Sequence, residues 1–443
     1  MSMRRAQLLL LAFLSFCLGA CLEVVSQTVP FPQEQLTYVA ILTRHGVRSP
    51  TWPAERLNQY STAQWPDFGA PPGFLTPHGR KLMELVGAYD RASLAQADLL
   101  SASGCEDAGR VFIWADTDQR TIESGRALAS GIAPGCQVEV RSLPEGTDDP
   151  LFSPVALGIT RADRATAAAS VMGRLGSRPA AVLDAYRPAF ETMQEVLLGC
   201  TPGPDCPPEG TSVAQPLLEL ATSVGPGKGG SLVDFAGPLP TASTLAQNFL
   251  LEYTNAMPAE DLGWGRLTKT RLHQMMMLHG AYSDLMRRTP YLARANGSNL
   301  LSHMLRSIEQ AVSGKVVPGA LGTPDDRVLV VVGHDTNIAN FAGMLRLSWL
   351  IEGYQRDDTP PGGALVFEVW RNSATGAYTV RTSYTAQTLQ QMREAQPLTL
   401  ASPPPSAPVF VPGCSTASEG FACTWSEFRR TVEEAIDPAS VKP

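Results

Sequence analysis

An open, mostly parallel α/β sheet flanked by helices, with an inserted and mainly α-helical domain, is the fold this sequence predicts. Two observations carry the prediction. Three apolar runs, TYVAIL at 37–42, RVFIWA at 110–115 and RVLVVVG at 327–333, each give way to polar residues and then to a helical pattern. Runs without polar alternation suit strands covered on both faces, as in a parallel sheet. From Pro154 to about Gly265 the texture changes to Ala- and Leu-rich helical stretches, ADRATAAASVMGRLG and AAVLDAYRPAFETMQEVLLG, followed by a Pro/Gly-rich loop.

Taken in order, residues 1–20 read as a secretory signal peptide: a short basic start, an apolar run from Leu8 to Leu18, then Gly19 and Ala20. The run is too short for a convincing membrane span. LGAC, ending at Cys21, looks like the lipobox of bacterial lipoproteins, so lipidation at Cys21 and ordinary cleavage both stay open. Residues 21–154 and 266–443 are assigned to the α/β domain and 155–265 to the insertion. After it, helices resume in LTKTRLHQMMMLHGAYSDLMRR and stop at Pro290; its three Met read as core filling. TPPGG at 359–363 turns the chain into a β run, with a partner strand around 379–387.

The 443 residues are 44% hydrophobic and 17% charged, an ordinary globular composition. The net charge of −7 argues against a general nucleic-acid binder, so an anionic ligand needs a local cluster of Arg. Six cysteines remain beyond Cys21, an even number that reads as disulfides in an exported protein. Nearness in sequence suggests Cys105–Cys136, Cys200–Cys206 and Cys414–Cys423. A metal site is the weaker reading, since no pair has C-x-x-C spacing.

In a parallel α/β sheet, ligands bind beyond the carboxyl ends of the strands. There the first run delivers Arg44, His45 and Arg48, the second Arg120, and the third His334 and Asp335. Arg in a crevice is costly without an anion, and its planar fork matches phosphate oxygens. Three Arg and two His converging on one pocket make a phosphate site with its own nucleophile. Asp116 and Asp118 read as residues that orient Arg120 or cap its helix. His78, His273, His279 and His303 have no basic company in sequence and read as non-catalytic.

RHGVRSP at 44–50 with HD at 334–335 resembles the signature pair of the histidine acid phosphatases, closest to their bacterial periplasmic phytase and acid phosphatase branch. GFLTPHGR at 73–80, GWGRL at 263–267, DTPPGGALVFEVWR at 358–371 and TLQQMR at 388–393 extend the likeness over the mature chain. The resemblance implies a phosphoglycerate-mutase-like sheet and hydrolysis of phosphomonoesters through a phosphohistidine on His45. Arg44, Arg48, Arg120 and His334 would hold the phosphoryl oxygens, and Asp335, with an ordinary carboxyl pKa of about 3.9, would serve as general acid and then base. It implies no cofactor and no metal, a small phosphomonoester as the only partner, a monomer, and a periplasmic or secreted location with membrane attachment only through a lipidated Cys21.

The sequence departs from that branch where substrate is chosen. Trp52 follows Thr51 where the enteric phytases have a Lys, and Gln247 stands where an acidic residue is expected; Thr51, Trp52 and Gln247 are the candidate substrate contacts. One disulfide of those enzymes is missing, with Thr160 at its first position. Inositol phosphates are therefore one expectation, with glucose-1-phosphatase or broad acid phosphatase activity the alternative. A cytosolic phosphoglycerate-type mutase conflicts with the export signal. A non-enzymatic binder of phosphate esters would keep the Arg cluster without needing His45 and Asp335 together.

Overall fold

A computed structural model of the chain describes residues 34–176, 178–201, 206 and 213–442. The expected signal peptide and the processing site at Cys21 lie outside these residues. The first half forms β1 (Glu34–Arg44), α1 (Ala54–Leu57), α2 (Pro77–Gln96), β2 (Val111–Ala115), α3 (Gln119–Ile132), β3 (Val140–Arg141), α4 (Arg164–Leu175), α5 (Ala181–Ala185) and α6 (Arg187–Leu198). There follow β4 (Ser223–Pro226), β5 (Val233–Ala236), α7 (Pro238–Thr254), α8 (Lys269–Met286), α9 (Pro290–Ser313), β6 (Val328–Gly333) and α10 (Asp335–Leu345). The chain ends with β7 (Ala364–Asn372), β8 (Tyr378–Thr385), α11 (Leu389–Glu394), β9 (Ser406–Pro408), β10 (Cys423–Thr424) and α12 (Trp425–Ala435).

The central sheet runs β10-β8-β7-β1-β6-β2-β3, with β9 on β8. Its parallel half is β1, β6, β2 and β3. TPPGG turns into β7, which lies antiparallel on the other edge of β1 and pairs with β8, the expected partner strand. The apolar runs are uninterrupted because both faces are covered. Tyr38, Ala40, Leu42, Leu329 and Val331 face a core shared with Phe249, Leu278, Leu301, Phe341 and Phe428 from α7, α8, α9, α10 and α12. Val39, Ile41, Val328 and Val330 alternate onto the opposite core, against Met83, Leu94, Leu128 and Ile132 from α2 and α3. Each buried aliphatic side chain contributes about 1.5–3 kcal/mol, and a slip of one residue would exchange the two faces. Strand ends are thereby fixed in place.

Where β1 ends, the backbone crosses α2 at close range. A Cβ on Gly79 would lie 2.0 Å from the Val47 carbonyl oxygen, and one on Gly46 would lie 2.8 Å from Met83 Cγ. Both positions need glycine for proximity, not for an unusual φ. Thr76 caps α2, its hydroxyl accepting from Gly79 N, with Pro77 in the first turn. Of the three consecutive methionines, Met275 and Met276 are buried in the core and Met277 is exposed. Disulfides join Cys105–Cys136, Cys200–Cys206 and Cys414–Cys423. Among the described residues no helix is long and apolar enough to cross a membrane.

Candidate active site

Three adjacent strand ends build the site. β1 pairs with β6 up to Arg44 opposite Gly333, and His45 N donates to Gly333 O at 2.9 Å. β2 ends beside them, Asp116 N donating to Val332 O at 3.0 Å. Residues 44–48, 334–335 and 116–120 thus leave the same edge of the sheet together. α10 starts at Asp335, so that carboxylate sits in the first turn of a helix, where the backbone dipoles favour negative charge.

His45 is buried, and its Nδ1 lies 2.8 Å from the Gly46 carbonyl. A carbonyl only accepts, so Nδ1 carries the proton of the neutral ring, and Nε2 keeps a lone pair. Burial, and after it the charges of Arg120 and Arg44, then His334 and Arg48, hold the imidazole well below its ordinary pKa. Ser124 Oγ accepts from Gly46 N at 2.9 Å and steadies the loop. The His334 ring meets His45 edge-on with centroids 5.5 Å apart. His334 Nε2 lies 2.7 Å from Asp116 Oδ2 and 3.4 Å from Asp118 Oδ2.

The guanidiniums are held mostly by neutral acceptors. Arg44, 1% exposed, donates to Thr359 O at 2.6 Å and to Gln247 Oε1 at 2.8 Å. Arg48 donates to Ser49 O at 2.7 Å, and burial followed by repulsion from Arg44 and Arg120 lowers it to about 9. Arg120 meets Asp118 Oδ2 at 2.5 Å. The Nε atoms of all three are buried without a partner. Such a set awaits oxygen acceptors that carry negative charge.

Asp335 differs from its sequence expectation. Burial alone would raise it, but Arg287 Nη1 at 2.7 Å from Oδ2, Arg44 Nη2 at 3.8 Å and His279 Nε2 at 3.9 Å hold it well below the usual carboxylate range. Its pKa is therefore not the ordinary one. His279 also departs from its reading as a histidine without basic company. It is buried, its Nδ1 pairs with Ser243 Oγ at 3.0 Å, and burial with Arg287 lowers it to about 3. Arg287 and His279 carry no motif; only their spacing of eight on the α8 stretch, which puts both near one face, hinted at a common target.

The remaining candidates lie at unequal depth. Gln247 is buried on α7 and touches Arg44. Thr51 is exposed, and its Cγ2 approaches Gly73 on the side where Arg120 Nη1 lies 3.4 Å from Gly73 O. Trp52 is half-buried, with the exposed Arg56 guanidinium 3.7 Å over its ring and Tyr60 at 6.0 Å. Asp118 orients Arg120, while Asp116 serves His334 and Thr117 N. His78 and His303 bond backbone carbonyls outside this cluster. Ligand-type atoms of Asp116, Asp118 and His334 lie within 4.8 Å of one another, a grouping that an imidazole hydrogen-bonded between two carboxylates also produces. The cluster as a whole can hold a phosphoryl group, attack it and move a proton.

A family model described as the histidine phosphatase superfamily (branch 2) matches residues 35–197 and 247–385. Phytase AppA of Escherichia coli is 34% identical over 415 residues, covering 92% of this chain and 94% of that protein. A glucose-1-phosphatase of Salmonella typhimurium is 28% identical over 421 residues, covering 93% and 95%. Among solved structures, Hafnia alvei phytase in complex with tartrate superposes with a TM-score of 0.83 at 35% identity, over 93% of this chain and 100% of that one. The same phytase in complex with myo-inositol hexakis sulphate gives 0.80 at 34%, with equal coverage.

Proposed function

The chain belongs to the histidine phosphatase superfamily, branch 2, and from that premise we propose an exported acid phosphatase that works through a phosphohistidine and prefers inositol phosphates. It is a phosphoric monoester hydrolase. The observation that carries the mechanism is the neutral, Nδ1-protonated His45 among Arg44, Arg48, Arg120 and His334. Nε2 attacks phosphorus while Asp335 passes a proton to the leaving alkoxide; water then cleaves the P–N bond with Asp335, now a carboxylate, taking its proton. The Arg groups and His334 hold the equatorial oxygens and offset the charge that develops on them.

The phytate preference draws support from the relatives AppA and Hafnia phytase. Glucose 1-phosphate is the second reading, favoured by Trp52 standing where a Lys is expected of the phytase branch and by the glucose-1-phosphatase relative. Residues 155–265 are read as an insertion over the crevice, since Gln247 on α7 reaches Arg44. The disulfides fit an exported protein; periplasmic or secreted location, a monomeric state and the choice between cleavage and lipidation at Cys21 belong to the same proposal. Phosphate release at pH 4–5, bracketing ordinary carboxylate pKa values of about 3.9–4.3, should be compared on phytate, glucose 1-phosphate and p-nitrophenyl phosphate. His45→Ala is expected to abolish release. Full activity in that variant overturns the mechanism, and a wild type inert on every monoester points to a binding protein.

A further inference from the structure

Asp335 is surrounded by donors before any substrate arrives. Oδ1 accepts from Thr336 N at 2.9 Å, and Oδ2 faces Arg287 at 2.7 Å. The charged or titratable groups around it are Arg44 from β1, Arg48 beyond it, His279 and Tyr282 from α8, Arg287 just after α8, and Tyr384 from β8. Tyr282 and Tyr384 are neutral in acid, being raised by burial, and His279, lowered to about 3, is neutral too. Arg44 and Arg48 belong to the phosphate clamp. Arg287 is left as the full charge aimed at the carboxylate alone: its side chain is 18% exposed and has no other carboxylate partner among the described residues.

We propose that Arg287 is a positioning residue that sets how Asp335 divides its time between proton donor and water-activating carboxylate. The inference rests on the two roles given to Asp335 above. In the first half-reaction the His45 Nε2–P bond forms, the P–OR bond breaks and the Asp335 proton goes to the alkoxide. In the second, the water oxygen bonds phosphorus, the N–P bond breaks and a water proton returns to Asp335. Arg287 favours the carboxylate, so it speeds the second half-reaction and limits the first for esters whose leaving group needs a proton.

The test is the pH dependence of kcat/KM, which reports the first half-reaction, on glycerol 2-phosphate and p-nitrophenyl phosphate. Loss of a cation in contact with a carboxylate relaxes its pKa by about 1–3 units. Arg287→Gln is therefore expected to move the alkaline limb upward by about that amount on glycerol 2-phosphate only. Arg287→Lys, with its charge set further back, should fall between Gln and wild type. If the Gln variant does not fold, the Lys variant decides alone, by a limb above wild type on the alkyl ester and unmoved on the aryl ester. Limbs that coincide with wild type on both esters, or move equally on both, overturn the inference and leave Asp335 in its roles. A wild type that hydrolyses neither ester removes both.

Discussion

Arg44, Arg48 and Arg120 make one wall beside His45, gripped by carbonyls, an amide and one partly exposed carboxylate, with Arg44 also 3.8 Å from Asp335. The second wall is Asp335, a single acid facing two guanidiniums and an imidazole. Neutral acceptors orient a guanidinium without cancelling its charge, so the first wall keeps its attraction for a phosphate. The second wall has settled its charge internally and can only trade protons. A second buried acid calibrates the contrast: Glu252 on α7, 0% exposed, accepts from Gly263 N at 2.8 Å with no ion pair to a cation among the described residues, and burial lifts it to about 8. Burial pushes both acids up; the cations alone reverse the sign at Asp335.

If the walls divide the labour this way, the largest effect falls on the proton wall. Asp335→Asn should lower kcat/KM on an alkyl ester by about 10²–10⁴, and far less on p-nitrophenyl phosphate, whose leaving group barely needs a proton. Equal losses would erase the distinction. On the cation wall, Arg120→Ala should cost both esters alike, about 10²–10³ in kcat. It should also raise the acid limb, because Arg120 is the strongest of the charges that keep His45 unprotonated. Gln247→Leu, which removes the acceptor that Arg44 Nη2 meets at 2.8 Å, is expected to cost about tenfold or less in kcat/KM.

The smallest effect concerns stability. Glu252 is raised in the folded protein, so its contribution is complete below its ordinary pKa of about 4.5 and is lost as pH rises through about 8. Asp358, raised by burial to about 7, acts in the same direction. His45 and His279 oppose them below about 6.5, where the unfolded chain takes up protons that the folded one refuses. Between about pH 6.5 and 8 these raised acids act in one direction, and each contributes a slope of at most about 1.4 kcal/mol per pH unit. Melting temperatures should fall across that window, and Glu252→Gln should flatten the fall; an unchanged slope would deny Glu252 its buried, uncompensated state.

Much of this was legible in the sequence. The strands announced themselves through runs with no polar break, and their ends through the residues that followed. TPPGG and the alternation after it gave the antiparallel pair. Arg44, His45, Arg48, His334 and Asp335 were readable because covalent neighbours on strand ends stay neighbours in space. Arg287 and His279 were not, since a helix far along the chain brings them to Asp335 by tertiary packing, which leaves no local signal. The pKa of Asp335 was hidden for the same reason. Gln247 was noticed, but its contact with Arg44 depends on how α7 lies over the crevice, and no spacing encodes that.

β1 is the strand that carries the nucleophile, and it is hydrogen-bonded along both edges, to β6 and to β7. A segment so placed opens only when the whole sheet does. Amide hydrogens of Val39 to Thr43 should therefore be among the slowest to exchange, at rates that report global unfolding. Heat inactivation and loss of secondary structure should share one midpoint, so the enzyme would fail all at once, with no population that stays folded around a disordered nucleophile.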